Sequence, residues 1–342
     1  MQAIVARQYG SPDVLGLETL DRPVPGPNQV LLRVRAASVN PLDYHMLHGF
    51  PLIRHIPGLS RPRSPIRGVD VAGVVEATGP GVTRFYAGDA VFGSCRGAFA
   101  EYVCTAESAV VARPQGVPFE HAAAVPVAGI TALQGLRDKG RVRPGQNVLI
   151  HGASGGVGTF AVQIAKILGA HVTAVTSPAN LDFVRALGAD FAIDYAQQDF
   201  TQQGRRYDVI FDCYASHSLA DCRRALTPAG IYVGVGGPTS SLLPFLGRLL
   251  ALVAPSPFRK QKMVFFIAKM NASDLSLLAN WTASGQLTPV LDRGYPLEQV
   301  PEALRYLETG HARGKVVILM NSTAQHAGDE PAPQPESATR NL

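Results

Sequence analysis

Between Val148 and Val175 the periodicity of the chain changes twice. Val148 to Ile150 is a short apolar run, Gly152 to Gly158 is dense in glycine, and Val157, Ala161, Ile164, Ala165 and Leu168 then recur at helical spacing. Gly169 ends the helix as a left-handed cap would, and His171 to Val175 reads as a second buried strand. Strand, tight turn, helix and strand form a βαβ unit, which commits this part of the chain to a parallel sheet. Glycines at the first turn of such a unit leave backbone N–H groups facing outward at a helix N-terminus. This is a pocket for a dinucleotide pyrophosphate.

The G-x-G-x-x-G spacing falls on Ala153, Gly155 and Gly158, with an additional glycine at Gly156, so alanine stands in the first glycine slot. The backbone of Ala153, Ser154, Gly155, Gly156, Val157 and Gly158 is expected to cradle the phosphates. A glycine-rich turn without a ligand would use the same residues. The strand before it and the strand after the helix favour the ligand.

A chain of 342 residues is long for one core, so two domains are expected. The net charge of +5 is modest and the 31 basic residues are scattered, which argues against nucleic acid or an anionic membrane as partner. The four cysteines include no C-x-x-C pair and no secretory signal precedes Ala3–Arg7, so reduced thiols and a cytoplasmic location are expected. The most apolar window, Leu242 to Ala254, is interrupted by Pro244 and Arg248 and is too short to cross a bilayer. Residues 321–342 lack a periodic apolar face and are expected to be disordered.

Residues 1–118 read as β-rich, with strands over Ala3–Arg7, Val30–Val34, Val69–Glu76 and Ala90–Phe92 and turns at Gly79-Pro80-Gly81 and Gly88-Asp89. After Pro114, helices are expected over Phe119–Ala124 and Thr131–Arg137. Beyond the opening βαβ unit, the expected order is helix Leu181–Leu187, strands Phe191–Ile193 and Val209–Cys213, helix Leu219–Leu226 and strand Ile231–Val235. Helix Asp274–Ser284, strand Pro289–Leu291, helix Val300–Thr309 and strand Val316–Met320 follow. The reading is α/β: a partly closed β-barrel over 1–118, a doubly wound parallel sheet over 119–285, a return to the first domain over 286–320, and a tail.

Further motifs occur in order around the glycine turn: Ser38-Val39-Asn40-Pro41-Leu42-Asp43, Gly68-Val69-Asp70-Val71-Ala72-Gly73-Val74-Val75, Gly88-Asp89-Ala90-Val91, Gly97-Ala98-Phe99-Ala100-Glu101-Tyr102, Val127-Ala128-Gly129-Ile130-Thr131-Ala132 and Gly314-Lys315-Val316-Val317. Together they resemble the zinc-independent quinone oxidoreductase branch of the medium-chain dehydrogenase/reductase superfamily over nearly all of residues 1–320. The resemblance implies a GroES-like β-barrel catalytic domain and a Rossmann domain, in a chain that pairs as a homodimer. Zinc-dependent relatives carry Cys where this chain has Asn40 and Gly-His-Glu where it has Gly68-Val69-Asp70, and their third ligand falls near Ala124. A catalytic zinc needs three protein ligands, so no zinc is expected. Without a Lewis acid, the fitting substrate is a small, apolar, electron-poor acceptor: a quinone or an α,β-unsaturated carbonyl that takes hydride directly.

An NAD-selective site would place an acid at the end of its second strand. Here Val175 is followed by Thr176, Ser177, Pro178, Ala179 and Asn180, with no acid before Asp182, which favours NADPH over NADH. Relatives often carry Arg where this chain has Ala179, and Tyr195 resembles the family's 2′-phosphate-contacting tyrosine. By the same resemblance Asn40, Asp43 and Tyr44 edge the nicotinamide. Asn40 would bond cofactor or substrate, Asp43 would cap a helix or act in catalysis, and Tyr44 would line the pocket or donate to a quinone oxygen. Thr131 would lie near the nicotinamide ribose or serve as a helix N-cap, and Gly236 and Gly237 would let the backbone approach the nicotinamide or form a plain turn. Lys315 would reach cofactor phosphate or ribose or, as the favoured reading, be solvated, and His45 and His48 are expected to sit at the surface or pocket rim. The apolar stretch 241–266 would form a cover and part of a dimer contact, or an ordinary core helix. Two alternatives are an enoyl-thioester reductase and a cofactor-gated RNA-binding protein of the same fold.

Overall fold

A computed structural model describes residues 1–49, 62, 64–235 and 260–320. The tail, Gly236, Gly237 and residues 241–259 of the apolar stretch lie outside the described residues.

The first sheet is built by β-branched strands whose inward residues alternate. Its long central strand β3 (Gln29–Val39) pairs antiparallel with β4 (Asp70–Thr78), which pairs with β5 (Ala90–Ser94) and through it with β7 (Val110–Ala112). β6 (Tyr102–Ala106) pairs with the first half of β3. A separate hairpin of β1 (Gln2–Ala6) and β2 (Leu15–Thr19) lies beside this sheet, tied on by bridges from Ala3 to Ala100 and from Val5 to Ile66. Ile4, Val30, Leu32, Val71, Val91, Phe99 and Ile318 are buried together as its core. Helix α1 (Pro41–His48) leaves directly from the end of β3.

The chain then passes through α2 (Phe119–Ala123) and α3 (Pro126–Leu133). The second helix was expected to begin at Thr131 but begins five residues earlier. Pro126 occupies its first turn, where a missing N–H costs nothing. The helix runs on through a wider π-helical turn, Gln134–Lys139.

Next come β8 (Asn147–His151), α4 (Gly156–Ile167), β9 (His171–Thr176), α5 (Leu181–Ala186), β10 (Phe191–Asp194), β11 (Tyr207–Asp212), α6 (Leu219–Ala225), β12 (Leu226–Gly234) and β13 (Lys262–Phe265). Six strands lie parallel in the order β10-β9-β8-β11-β12-β13. The direction of winding reverses between β8 and β11, so the crevice at their carboxyl ends is the topological switch point where such sheets bind ligands. Val148, Ile150, Phe160, Ala161, Ile164 and Phe211 are buried between this sheet and its helices. At the end of the 241–266 stretch, residues Lys262–Phe265 form the edge strand of this sheet among the described residues, while the part with helical spacing lies outside them. The reason is that Val264 and Phe265 are β-formers in register with Val233 and Gly234.

Helix α7 (Ala272–Ala283) packs on α3, and the chain returns to the first sheet. β14 (Leu291–Pro296) runs beside β15 (Lys315–Leu319), and β15 pairs antiparallel with β3. The strand expected over Pro289–Leu291 thus starts later, because Pro289 has no N–H to give a ladder. Between them, α8 (Val300–Glu308) covers the first core with Val300, Ala303 and Leu304.

Candidate functional site

The glycine turn sits at the switch point. Gly152 takes the left-handed conformation, φ 78°, and its N–H and that of Ala153 donate to Val175 O at 3.2 and 3.1 Å. Ala153 is fully buried in the core, which explains why a methyl is tolerated in the first glycine slot: the positive φ falls one residue earlier. At Gly158 a Cβ would lie 2.1 Å from Gly152 O, so helix and turn touch backbone to backbone. At Gly155 the nearest atom to a Cβ would be Gly152 O at 3.5 Å, leaving the turn open there. Helix α4 follows with twelve residues, Val157 half-buried in its first turn, and its leading N–H groups directed at this opening. These residues fit a dinucleotide phosphate.

At the end of β9, Thr176 Oγ1 donates to Ser154 Oγ at 2.8 Å, and Asn180 Nδ2 donates to Ser177 Oγ at 3.0 Å. Tyr195 lies alongside, 57% exposed, its N–H donating to Thr176 O. The structure therefore brings Ser154, Thr176, Ser177, Asn180 and Tyr195 into one polar rim. It adds a carboxylate that a scan along one strand overlooks, since Asp194 ends β10 in register with Thr176. Asp194 is 8% exposed and accepts the Ala196 N–H at 2.9 Å, within its own turn. Asp182 is fully outside, paired with Arg185.

On the opposite side of the turn lies a network that the linear sequence did not reveal. Lys315, expected in solvent, is 3% exposed. Its Nζ donates to Asn40 Oδ1 at 2.6 Å, to Val39 O at 3.3 Å and to Asp70 Oδ2 at 3.4 Å. Burial is affordable because the charge meets a carboxylate and two further acceptors. Asp70 Oδ2 also accepts from Ser38 Oγ (2.8 Å) and Asn40 Nδ2 (2.9 Å), while its Oδ1 accepts the Val127 N–H (3.0 Å) at the start of α3. Lys315 also reaches the glycine turn: a Cβ on Gly156 would lie 3.2 Å from its Cδ, and Gly314 N–H donates to Ser154 O at 2.9 Å.

These contacts revise several expected roles. Both ends of the Asn40 side-chain amide are engaged inside the network, Nδ2 donating to Asp70 Oδ2 and Ser38 O and Oδ1 accepting from Lys315 Nζ, so Asn40 acts as a strut rather than a donor held open for a carbonyl. Asp43 caps α1, accepting the Asn40 N–H at 2.7 Å. Tyr44 is half-buried, its ring 4.1 Å from that of His45 and 6.1 Å from that of His48. Thr131 is no N-cap: it lies late in α3, and its Oγ1 donates back to Val127 O at 2.6 Å. The positions at which zinc-dependent relatives carry ligands hold other groups here. Asn40 and Asp70 are tied to an ammonium and Ala124 is fully buried, and among the described residues no group of three His, Cys, Asp or Glu could hold a metal. The donor set does not fit zinc.

Burial lifts the Asp43 carboxyl from 3.8 to about 7, with the Asn40 N–H opposing and the neighbouring Asp70 charge adding to the rise. A carboxyl with a folded-state pKa above its unfolded value stabilises the fold below the unfolded value. That contribution is lost as pH climbs through the folded one. Stability is therefore expected to fall between about pH 4 and pH 7 by a component that Asp43→Asn removes, as urea midpoints across that range would read. An unchanged slope in the variant would refute the assignment.

A second buried pair lies under the turn. His151 ends β8 and Asp212 ends β11, with Nδ1 to Oδ1 at 2.9 Å. Asp212 also accepts from Ala215 N–H (2.7 Å) and Tyr232 OH (2.8 Å). Burial pushes this carboxyl up, but the His151 bond and charge and the other donors outweigh it and hold it at about 2. The pair locks together the two strands that flank the crevice. His151 immediately precedes the glycine turn in sequence, but nothing local marks its partner 61 residues on.

Residues 26–115 match the family model of an alcohol dehydrogenase GroES-like domain, and residues 187–318 that of a zinc-binding dehydrogenase. The chain is 33% identical over 333 residues to the chloroplast envelope quinone oxidoreductase homolog of Arabidopsis thaliana, covering 93% of this chain and 98% of that protein. It is also 33% identical over 333 residues to the chloroplastic NADPH-dependent alkenal/one oxidoreductase of the same plant, covering 93% of this chain and 79% of that protein. The solved structure of the quinone oxidoreductase from Coxiella burnetii superposes with a TM-score of 0.82 at 31% identity, covering 94% of this chain and 99% of that one.

Proposed function

Because the chain belongs to the medium-chain dehydrogenase/reductase superfamily, in its quinone oxidoreductase-like branch, we propose that it is an NADPH-dependent reductase of quinones or α,β-unsaturated carbonyls that works without zinc. The observation that carries this reading is a glycine turn whose geometry fits a dinucleotide phosphate beside a network in which Asn40 and Asp70, where zinc-dependent relatives carry Cys and Glu, bind the ammonium of Lys315 instead.

NADPH, when bound, supplies the hydride. The N–H groups opening α4 hold its phosphates, with Ser154, Thr176, Ser177, Asn180 and Tyr195 along the rim beside them. Asn40, locked by Lys315 and Asp70, fixes the start of α1 and with it Asp43 and Tyr44 beside the acceptor. The chain's contribution is position and exclusion of water, and an acceptor that is already electron-poor needs no metal to polarise it. Solvent protonates the reduced product. We take residues 1–118 and 286–320 as the catalytic unit and 119–285 as the nucleotide-binding unit, with β13 as the edge through which a homodimer would form. Cys95, Cys104, Cys213 and Cys222 are free, which supports a reducing compartment such as the cytoplasm. No described helix is long and apolar enough to cross a membrane.

The test is oxidation of NADPH against quinones, enones, acyl-thioesters and alcohol–aldehyde pairs, with NADH in parallel and chelator present throughout. Turnover of quinones or enones, unaffected by chelator, is expected. Activity confined to acyl-thioesters would favour the enoyl-thioester reading, and activity confined to alcohols would overturn the proposal.

A further inference from the structure

Lys315 and Arg67 are the buried lysine and the buried arginine among the described residues, and only the lysine has acceptors. Arg67 is 6% exposed, and its Nε and Nη2 are buried without a hydrogen-bond partner. Other arginines with a buried Nε are only half-buried and leave that one atom unmatched; of these, Arg33 pairs with Glu76 and Arg113 donates to Pro114 O and Val117 O. The two unmatched atoms of Arg67 belong to one edge of the guanidinium. Their N–H bonds run parallel, spaced as the two oxygens of a carboxylate are.

The surroundings place this edge beside α1. Phe99 N–H donates to Arg67 O at 3.0 Å and Ile66 bridges to Val5, so the Arg67 backbone is pinned between the first hairpin and the loop after β5. Its guanidinium lies 6.0 Å from the ring centroid of Tyr9. Tyr9 is held against α1, because Gly10 N–H donates to Leu47 O at 3.0 Å and a Cβ on Gly49 would lie 2.8 Å from the Tyr9 ring. The charge of Asp43, on the same helix, acts on the guanidinium, but that carboxyl is turned to the Asn40 N–H. Burial also keeps Asp43 protonated up to about pH 7, and Asp70 is already answered by Lys315. One buried positive charge is therefore left over next to the helix that carries Tyr44. A buried charge without a partner is costly, and an anion that supplies the missing acceptors removes that cost.

We propose that Arg67 is an anion-reading residue of the acceptor site and binds a carboxylate carried by the substrate on its Nε–Nη2 edge. This rests on the reductase reading and narrows it: the acceptor is an electron-poor alkene or quinone with one negative charge, in place of a wholly apolar one. A phosphate dianion would exceed the single charge left over.

The test compares trans-β-acetylacrylate, an enone with a carboxylate, with its methyl ester as acceptors under NADPH. Beside it, the full chain is titrated calorimetrically with levulinate, the product of reducing the acid. The acid should be preferred in kcat/KM by roughly 10- to 100-fold, the range for hydrogen bonds to a charged group. Arg67→Met should erase both that preference and levulinate binding. Its melting temperature should equal or exceed that of wild type, because an unpaired buried charge is gone. Arg67→Lys keeps the charge but loses the paired edge, and should retain only part of the preference. Should Arg67→Met fail to fold, the wild-type ratio and Arg67→Lys still decide. Wild-type protein that takes acid and ester equally, or a preference that survives in Arg67→Met, would overturn the proposal and leave the reductase reading standing. Levulinate binding that depends on Arg67, in a chain that reduces neither compound, would keep the anion site and overturn the reductase reading.

Discussion

Lys315→Met is expected to destabilise the protein by about 3–5 kcal/mol, the range for removing one member of a buried ion pair. The reason lies with what remains. Asp70 is fully buried, and without the ammonium its charge would be faced only by the Ser38 hydroxyl, the Asn40 amide and the Val127 N–H. The double variant Lys315→Met/Asp70→Asn removes both charges and should be markedly more stable than the single one, because neither desolvation cost survives. Urea unfolding at constant m measures both. Additive losses would show that the two side chains do not act as a pair. Activity should follow the orientation of Asn40 rather than stability alone. In the double variant Asn40 Oδ1 still lacks its donor, so kcat is expected to fall by about tenfold or more while NADPH affinity changes little.

Gly158→Ala is expected to abolish measurable NADPH binding. The added methyl would lie 2.1 Å from Gly152 O and 2.8 Å from the Ala153 backbone, and no side-chain rotation relieves a clash with backbone. Helix α4 would have to shift off the turn, at a cost of roughly 1–3 kcal/mol for overpacking alone, and its N–H groups would no longer converge on one phosphate. Gly155→Ala is the control, since its methyl would meet only Gly152 O at 3.5 Å. That variant should fold with stability within about 0.5 kcal/mol of wild type. Its loss of nucleotide affinity would therefore report close approach of the ligand rather than damage to the fold. Fluorescence titration with NADPH, set beside thermal melting, separates the two effects. Retained binding in Gly158→Ala would mean that the turn is not the phosphate cradle.

The parallel sheet was legible because its signals are local. Val148–Ile150, the glycine turn and the apolar stripe of α4 each declare themselves within one window, and the structure adds only Asn147, His151 and Thr176 to the strand ends. Boundaries were misread where a proline decides them. Pro126 starts a helix earlier than the motif around Thr131 suggests, and Pro289 delays a strand. The residues of the rim at Thr176–Asn180 were also legible, since strand ends and the residues after them are fixed by the same periodicity.

The acceptor side was not legible in the same way. A lysine between glycine and a valine run reads as solvated, because charged side chains seldom tolerate full burial. Only folding brings Lys315 to Asn40 and Asp70, 275 and 245 residues away in sequence, and so makes burial tolerable. The sequence alone determined the α/β architecture and the place of the glycine turn, because each follows from the type and spacing of nearby residues. Tertiary structure alone decided that the Lys315 ammonium lies between Asn40 and Asp70 and that Asn40 is a strut. Those facts depend on which distant groups share a desolvated space, and hydrogen bonding there is set by packing rather than by period.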